Sequence, residues 1–101
     1  MIIRPAQVTD SLAIWKLETV AHGEEVTSRY DIPMFIHFGY VFVAEEENKI
    51  IGSIIALKTK QGDVTITDWV VHPQFQHRGI GLQLYRVLQQ EVKDHDLLAM
   101  V

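Results

Sequence analysis

A short segment of the chain, residues 76–82, has the residue types and spacing of a phosphate-binding loop. Gly79 and Gly81 carry no Cβ, so the backbone at these positions can approach a ligand closely. An apolar stretch at residues 64–71 precedes the segment, and an amphipathic stretch at residues 82–92 follows it. The first amides of a helix have no partner inside the helix, and together with the helix dipole they attract anions. The spacing therefore predicts an anion site at a strand-to-helix junction.

The spacing of the glycines excludes two common nucleotide-binding motifs. The string G-x-x-x-x-G-K-[ST] of mononucleotide P-loops does not occur in the sequence. The dinucleotide fingerprint G-x-G-x-x-G would need a glycine at position 84, which is occupied by Leu84. The chain instead has Q-x-x-G-x-G, from Gln76 to Gly81, after a strand that ends in V-H-P at residues 71–73. The loop therefore belongs to another type of phosphate site.

Strands and helices are arranged around this loop in a pattern typical of a mixed α/β fold. Runs of β-branched and aromatic residues, bounded by polar turns, predict strands at residues 2–4, 39–45, 49–59, 64–71 and 97–101. Helical periodicity predicts helices at residues 10–19 and 82–92. The segment before the second strand has no clear pattern and could hold a short helix near residues 33–38. Short turns favour an antiparallel meander before the loop, and the crossover helix after it favours a parallel fifth strand.

Apolar residues at helical spacing predict the buried faces of the two longer helices. In the first helix the predicted face consists of Leu12 and Trp15, could extend to Leu17 and Val20, and has Ile14 beside it. In the last helix it consists of Leu82, Leu84, Tyr85, Leu88 and Val92. Gly52, inside the third strand, predicts a bulge or a close approach of another backbone segment.

The loop and its flanks resemble the acetyl-CoA loop of the GNAT N-acetyltransferase superfamily. The family pattern is [QR]-x-x-G-x-[GA] after an apolar strand that often ends in V-x-P, and Gln76, Gly79 and Gly81 match the loop. The resemblance covers essentially the whole chain. The segments that look like the first three strands of the family are residues 1–6, 41–45 and 49–52.

The resemblance implies one domain over residues 1–101 with an α/β (α+β) fold. The expected GNAT-like mixed sheet is an antiparallel meander of four strands, followed by a crossover helix and a parallel fifth strand. GNAT chains usually continue into a C-terminal lobe of another helix and two strands, and this sequence stops before it. We therefore expect either an N-terminal piece of a longer protein or a partner subunit, such as a second copy in a homodimer, that covers the edge of the fifth strand.

The resemblance also implies an enzyme that moves the acetyl group of acetyl-CoA to a primary amine of a small molecule or peptide. The expected contacts to the pyrophosphate are Gln76, His77, Arg78, Gly79, Ile80, Gly81 and Leu82. The backbone of the preceding strand is expected to bind the pantetheine arm through Trp69, Val70 and Val71. The Val71 amide is expected to polarise the thioester carbonyl, as oxyanion-type donors do. Arg78 could also add charge to a phosphate, or be a solvated basic residue.

The groups that transfer protons are less clearly marked in the sequence. Asp68 lies where several family members have an acidic residue, and we expect a general base or substrate anchor there, with a solvent-facing strand residue as the alternative. Glu24 and Glu25 could attract an amine or could simply form a surface pair. Tyr85 is a poor candidate for the acid because it lies on the apolar stripe, and no other residue is assigned. A non-catalytic acyl-CoA-binding or regulatory module is the alternative function.

Composition narrows the remaining possibilities. The 101 residues carry a net charge of −4, which argues against a general nucleic-acid binder. There is no cysteine for disulfides or thiol catalysis. No apolar run approaches the length of a membrane span, and no secretory signal is visible, so we expect a cytoplasmic protein. The five histidines have no metal-binding spacing such as H-E-x-x-H.

Overall fold

The computed structural model describes residues 1–99 and contains a five-stranded sheet. Its strands are β1 (Ile2–Pro5), β2 (Tyr40–Glu46), β3 (Lys49–Lys58), β4 (Val64–Val71) and β5 (Leu97–Ala99). They lie in the order β1-β2-β3-β4-β5. The first four pair in antiparallel fashion, and β5 pairs with β4 in parallel. The mixed sheet expected from the sequence is therefore confirmed.

The described residues form helices on both faces of this sheet. They are α1 (Ser11–His22), α2 (Ile32–Phe38) and α3 (Ile80–Glu91), with short 3-10 turns at Val8–Asp10 and Pro73–Phe75. One apolar core lies between the sheet and the α1–α2 pair, and a second lies between the sheet and α3. Within residues 1–99 no helix is both long enough and apolar enough to cross a bilayer.

The hairpin between β2 and β3 sets the register of the central strands. Glu46 pairs with Lys49, and the two residues between them, Glu47 and Asn48, have φ angles of 51° and 64°. A two-residue turn with positive φ at both positions matches the right-handed twist of the flanking strands. The polar turn expected at residues 46–48 is therefore a tight hairpin.

Helix α1 differs from its prediction in length and in the face that it buries. It extends to His22 rather than residue 19, and ends at Gly23, whose φ of 78° gives a left-handed C-cap. The buried residues are Ile14, Leu17 and Glu18. The predicted face is wrong at Leu12 and Val20, which are about half exposed. Apolar residues lie on several sides of this helix, so only packing against the sheet decides which side is buried.

Helix α3 begins at Ile80, two residues before its predicted start. Ile80, Leu84 and Leu88 are its buried residues, whereas Leu82, assigned to the apolar face, is half exposed. Gly52 of β3 permits this close packing, because a Cβ there would lie only 3.1 Å from Leu84 and 3.2 Å from Ile80. Of the two predicted alternatives, the bulge is present beside Gly52, because the register shift against β2 leaves Ile51 as an extra residue. The closest approach at Gly52 is by side chains of α3 and not by another backbone segment.

Strand β4 is paired along its whole length on one side only. Its pairing with β5 covers Val64, Thr65 and Ile66. The fifth strand was expected at residues 97–101, and its last two positions, 100 and 101, lie outside the described residues. Against β3, the register shifts between Ile55 and Ala56, which leaves Thr67 as an extra residue in β4. Among residues 1–99, the second half of β4 thus has no strand beside it on the β5 side.

Candidate active site

The loop between β4 and α3 exposes a row of backbone amides. His77 and Gly79 both adopt left-handed backbone conformations, with φ angles of 67° and 77°. Among residues 1–99, no amide of residues 77–82 donates to a backbone carbonyl. A Cβ on Gly79 would meet no atom within 4 Å, so the loop is open at that point. Left-handed turns followed by a helix start are a common way to form an anion-binding concavity.

Side chains of the predicted site residues hold this loop against β4. The indole Nε1 of Trp69 donates to the carbonyl of Gly81 at 3.0 Å, and the Trp69 ring stacks on Tyr85 at 5.4 Å between centroids. The side-chain amide of Gln76 donates to the carbonyl of Val71 at 3.3 Å. The side chains of Trp69 and Gln76 therefore position the loop, and the backbone amides are left for a ligand.

The charged and apolar side chains of the loop differ in their contacts and in their exposure. The Arg78 guanidinium lies 5.1 Å from the centre of the Phe75 ring, in a cation–π arrangement. Leu82 is half exposed at the start of α3, while Ile80 is buried in the core. The structure thus separates the predicted loop residues into a buried anchor, Ile80, and exposed groups around the open amides.

The open edge of β4 carries an outward-facing backbone amide. The amide of His72 donates to the carbonyl of Ile51 in β3 at 2.8 Å. Amides alternate in direction along a strand, so those of Val71 and Trp69 point away from β3. The Trp69 amide is already bonded to the Asp68 carboxylate at 3.0 Å. The Val71 amide therefore faces the edge where β4 and β5 are not paired in the described residues.

Asp68 lies beneath α1 and forms a hydrogen bond that the sequence did not predict. Its Oδ1 is 2.9 Å from Nε2 of His22, at the C-terminal end of α1. The Asp68 side chain is only 12% exposed, so the alternative of a solvent-facing residue is wrong. Burial raises the pKa of Asp68, and the hydrogen bond from the Trp69 amide partly opposes this shift. The other oxygen, Oδ2, is buried without a hydrogen-bond partner among the described residues.

Two further buried polar residues lie on the same side of the sheet. Glu18, one helical turn before His22, is 1% exposed, and Ser53 of β3 is fully buried. Neither the Glu18 carboxylate nor the Ser53 hydroxyl has a hydrogen-bond partner in residues 1–99. In contrast, Glu24 and Glu25, the other acidic candidates, are exposed and make no ion pair in that part of the chain. No feature of the sequence predicted that Glu18 would be buried.

A surface groove with a volume of about 440 Å³ lies on the α1 face of the sheet. Leu17, Val20 and Ile50 contribute apolar walls, and His72 connects the groove to the end of β4. Its lining includes neither Asp68 nor any residue of the open loop. The groove is therefore separate from the row of amides.

Comparison with known proteins identifies the family. The sequence matches the model of the acetyltransferase (GNAT) family over residues 10–101, so the chain belongs to this family. A search of curated proteins gives no match. The fold and the loop thus define an acetyltransferase-family domain, as the sequence pattern indicated.

Several solved structures have the same fold. The ribosomal-protein-S18-alanine N-acetyltransferase from Escherichia coli superposes with a TM-score of 0.80 at 21% identity, covering 92% of this chain and 59% of that one. The diaminobutyrate acetyltransferase from Paenibacillus lautus, in complex with L-2,4-diaminobutyric acid and coenzyme A, superposes with a TM-score of 0.77 at 19% identity. This match covers 87% of this chain and 55% of that one. An acetyltransferase from Vibrio fischeri superposes with a TM-score of 0.78 at 23% identity, covering 98% of this chain and 94% of that one. The chain thus spans little more than half the length of the first two proteins.

Proposed function

We propose that this protein is an N-acetyltransferase that uses acetyl-CoA to acetylate a primary amine of a small molecule or peptide. The observation that supports this most strongly is the row of amides at residues 77–82, at the start of α3, which have no backbone partner within residues 1–99. It coincides with the one segment of the sequence that matches the family loop. A helix start with free amides binds phosphate oxygens through hydrogen bonds and the helix dipole.

The residues present fit coenzyme A. The pyrophosphate would be held by the amides of residues 77–82, where Gly79 leaves the loop open. The pantetheine arm would lie along the backbone of Trp69, Val70 and Val71, where β4 has a free edge in the described residues. When bound, acetyl-CoA would supply an activated thioester whose acetyl group is transferred, with release of the thiol.

The remaining groups on β4 would serve this reaction. The Val71 amide faces the free edge and would donate to the oxygen of the acetyl carbonyl, which is the usual role of a fixed backbone donor at such a site. Asp68 would act on the acceptor amine as an anchor or a base, either directly or through His22, to which it is hydrogen-bonded. Arg78 would contribute positive charge near the pyrophosphate if it leaves the Phe75 ring.

Two experiments separate enzyme from binding module. Titration with coenzyme A in a calorimeter should show one binding site per chain. Incubation with acetyl-CoA and a panel of amines, with free thiol as the readout, should show transfer to at least one primary amine. Binding without transfer to any amine would support an acyl-CoA-binding module instead, and the absence of binding would overturn both assignments.

A further inference from the structure

The pair formed by His22 and Asp68 has the geometry of an oriented base. His22 is the last residue of α1 and Asp68 lies in β4, 46 residues later, yet Nε2 and Oδ1 are 2.9 Å apart. The Trp69 amide donates to the same Oδ1 at 3.0 Å and fixes the carboxylate. An ionised carboxylate can only accept hydrogen bonds, so Nε2 of His22 must carry the hydrogen. The other ring nitrogen, Nδ1, is then left with a free lone pair.

We propose that His22, held in place by Asp68, accepts the proton of the acceptor ammonium group at Nδ1. This inference rests on the proposed acetyltransferase function and assigns a residue to a step within it. The acceptor, R–NH₃⁺, gives one proton to Nδ1 and becomes the neutral amine R–NH₂. The C–N bond then forms as the C–S bond of the thioester breaks. The second amine proton is lost as the amide forms, and the departing thiolate takes up one proton. His22 finally releases its proton to solvent.

Exposure favours His22 over Asp68 as the group that meets the amine. The His22 side chain is 36% exposed, so a substrate can reach its ring. In Asp68, Oδ1 already accepts two hydrogen bonds and Oδ2 is buried. Asp68 is therefore the positioning residue, and the imidazole is the accessible end of the pair. Histidine is also the side chain most often used for general acid–base catalysis near neutral pH.

The titratable groups around His22 belong to α1, β4 and the turn that follows α1. His22 contacts Asp68 of β4, Glu18 lies one turn earlier in α1, and Glu24 and Glu25 follow in the exposed turn after the helix. On the same face β3 presents Ser53 and Ile55, and the titratable residue of α2 is His37, which is exposed.

Replacement of His22 by glutamine tests the assignment against a purely structural role. The amide nitrogen of glutamine can replace Nε2 as the donor to Asp68, but glutamine has no basic nitrogen. We expect His22→Gln to bind coenzyme A like the wild type and to lose about 10²- to 10³-fold in kcat at neutral pH. Raising the pH, or adding free imidazole, should restore part of the rate. His37→Gln, at an exposed histidine in the last turn of α2, is the matched control and should keep full activity.

A second readout compares an NMR titration of the free enzyme, without thioester, with the pH dependence of the reaction. The titration midpoint of His22, followed by NMR in the free enzyme, should agree within about half a pH unit with the acidic limb of the kcat/KM profile. That limb should be absent in His22→Gln. A wild-type rate and pH profile in His22→Gln, in an enzyme that transfers acetyl groups, would overturn this inference alone. Failure of the wild type to acetylate any amine would instead remove the proposed function and this step with it.

Discussion

Replacing Gly79 by alanine separates the stability of the loop from its capacity to bind phosphate. Gly79 has a φ of 77°, and a Cβ added there would meet no atom within 4 Å. The substitution therefore causes no internal clash, but it forces alanine into the left-handed region at a cost of about 1–2 kcal/mol. For a domain of this size, each kcal/mol lowers Tm by about 4–8 °C. The new methyl group would project into the open mouth of the loop.

A matched control is available elsewhere in the chain. Gly62, in the turn between β3 and β4, has a φ of 95° and equally open surroundings. Gly62→Ala should therefore lose a similar amount of stability without touching the loop. Only Gly79→Ala should also lose affinity for coenzyme A, by about 10- to 100-fold. That range corresponds to the loss of one charge-assisted hydrogen bond, worth about 1.5–3 kcal/mol.

Thermal melts and calorimetric titration of the two variants decide the matter. If Gly79→Ala binds coenzyme A as tightly as the wild type while both variants melt earlier, phosphate does not approach the backbone at this loop. If both variants lose affinity equally, the effect comes from general destabilisation rather than from the loop.

Three further substitutions test other parts of the structure. Asp68→Asn should be more stable than the wild type at neutral pH, because burial raises the pKa of the native carboxyl. In the wild type, the raised pKa of Asp68 contributes stability at low pH that is lost as the carboxyl ionises. Denaturation curves should therefore show the advantage of Asp68→Asn shrinking as the pH falls, and no advantage below about pH 3.8, the ordinary pKa of the group. His77→Gly should raise the free energy of unfolding by about 1 kcal/mol, since it removes a left-handed histidine, and unchanged urea midpoints would contradict this. Trp69→Phe keeps the stacking on Tyr85 but removes the 3.0 Å hydrogen bond to Gly81, and should cost about 0.5–1.5 kcal/mol. It should also weaken coenzyme A binding in calorimetry, whereas full affinity would show that this bond does not position the loop.

The sequence predicted the strands and the loop well because both depend on local signals. Runs of β-branched and other apolar residues, bounded by polar turns, mark β2, β3 and β4, and the residues of β4 were predicted at the observed bounds. Gly79 marks the loop because left-handed backbone favours glycine, whereas a Cβ on Gly81 would make only ordinary contacts, 3.5 Å or more from its neighbours. His77 gives no such signal, although it adopts the same left-handed conformation as Gly79.

The hydrogen-bonded pair of His22 and Asp68 could not be predicted because it depends on tertiary packing. His22 and Asp68 are brought together only when α1 packs across β4, and the predicted helix stopped before His22. The buried face of α1 was also misassigned at Leu12 and Val20, for the same reason. With Glu18 assigned to no face, nothing in the sequence indicated that buried polar residues lie on this side of the sheet.

The most direct measurement of the central claim is an NMR titration of the ¹⁵N-labelled protein with coenzyme A. The account predicts that the largest amide shifts occur at residues 77–82, with further changes at the amides of Trp69, Val70 and Val71. Control residues in the turn around Gly62 should not move. Shifts confined to the groove along α1, or no saturable shifts at the start of α3, would contradict the claim that these amides hold the pyrophosphate.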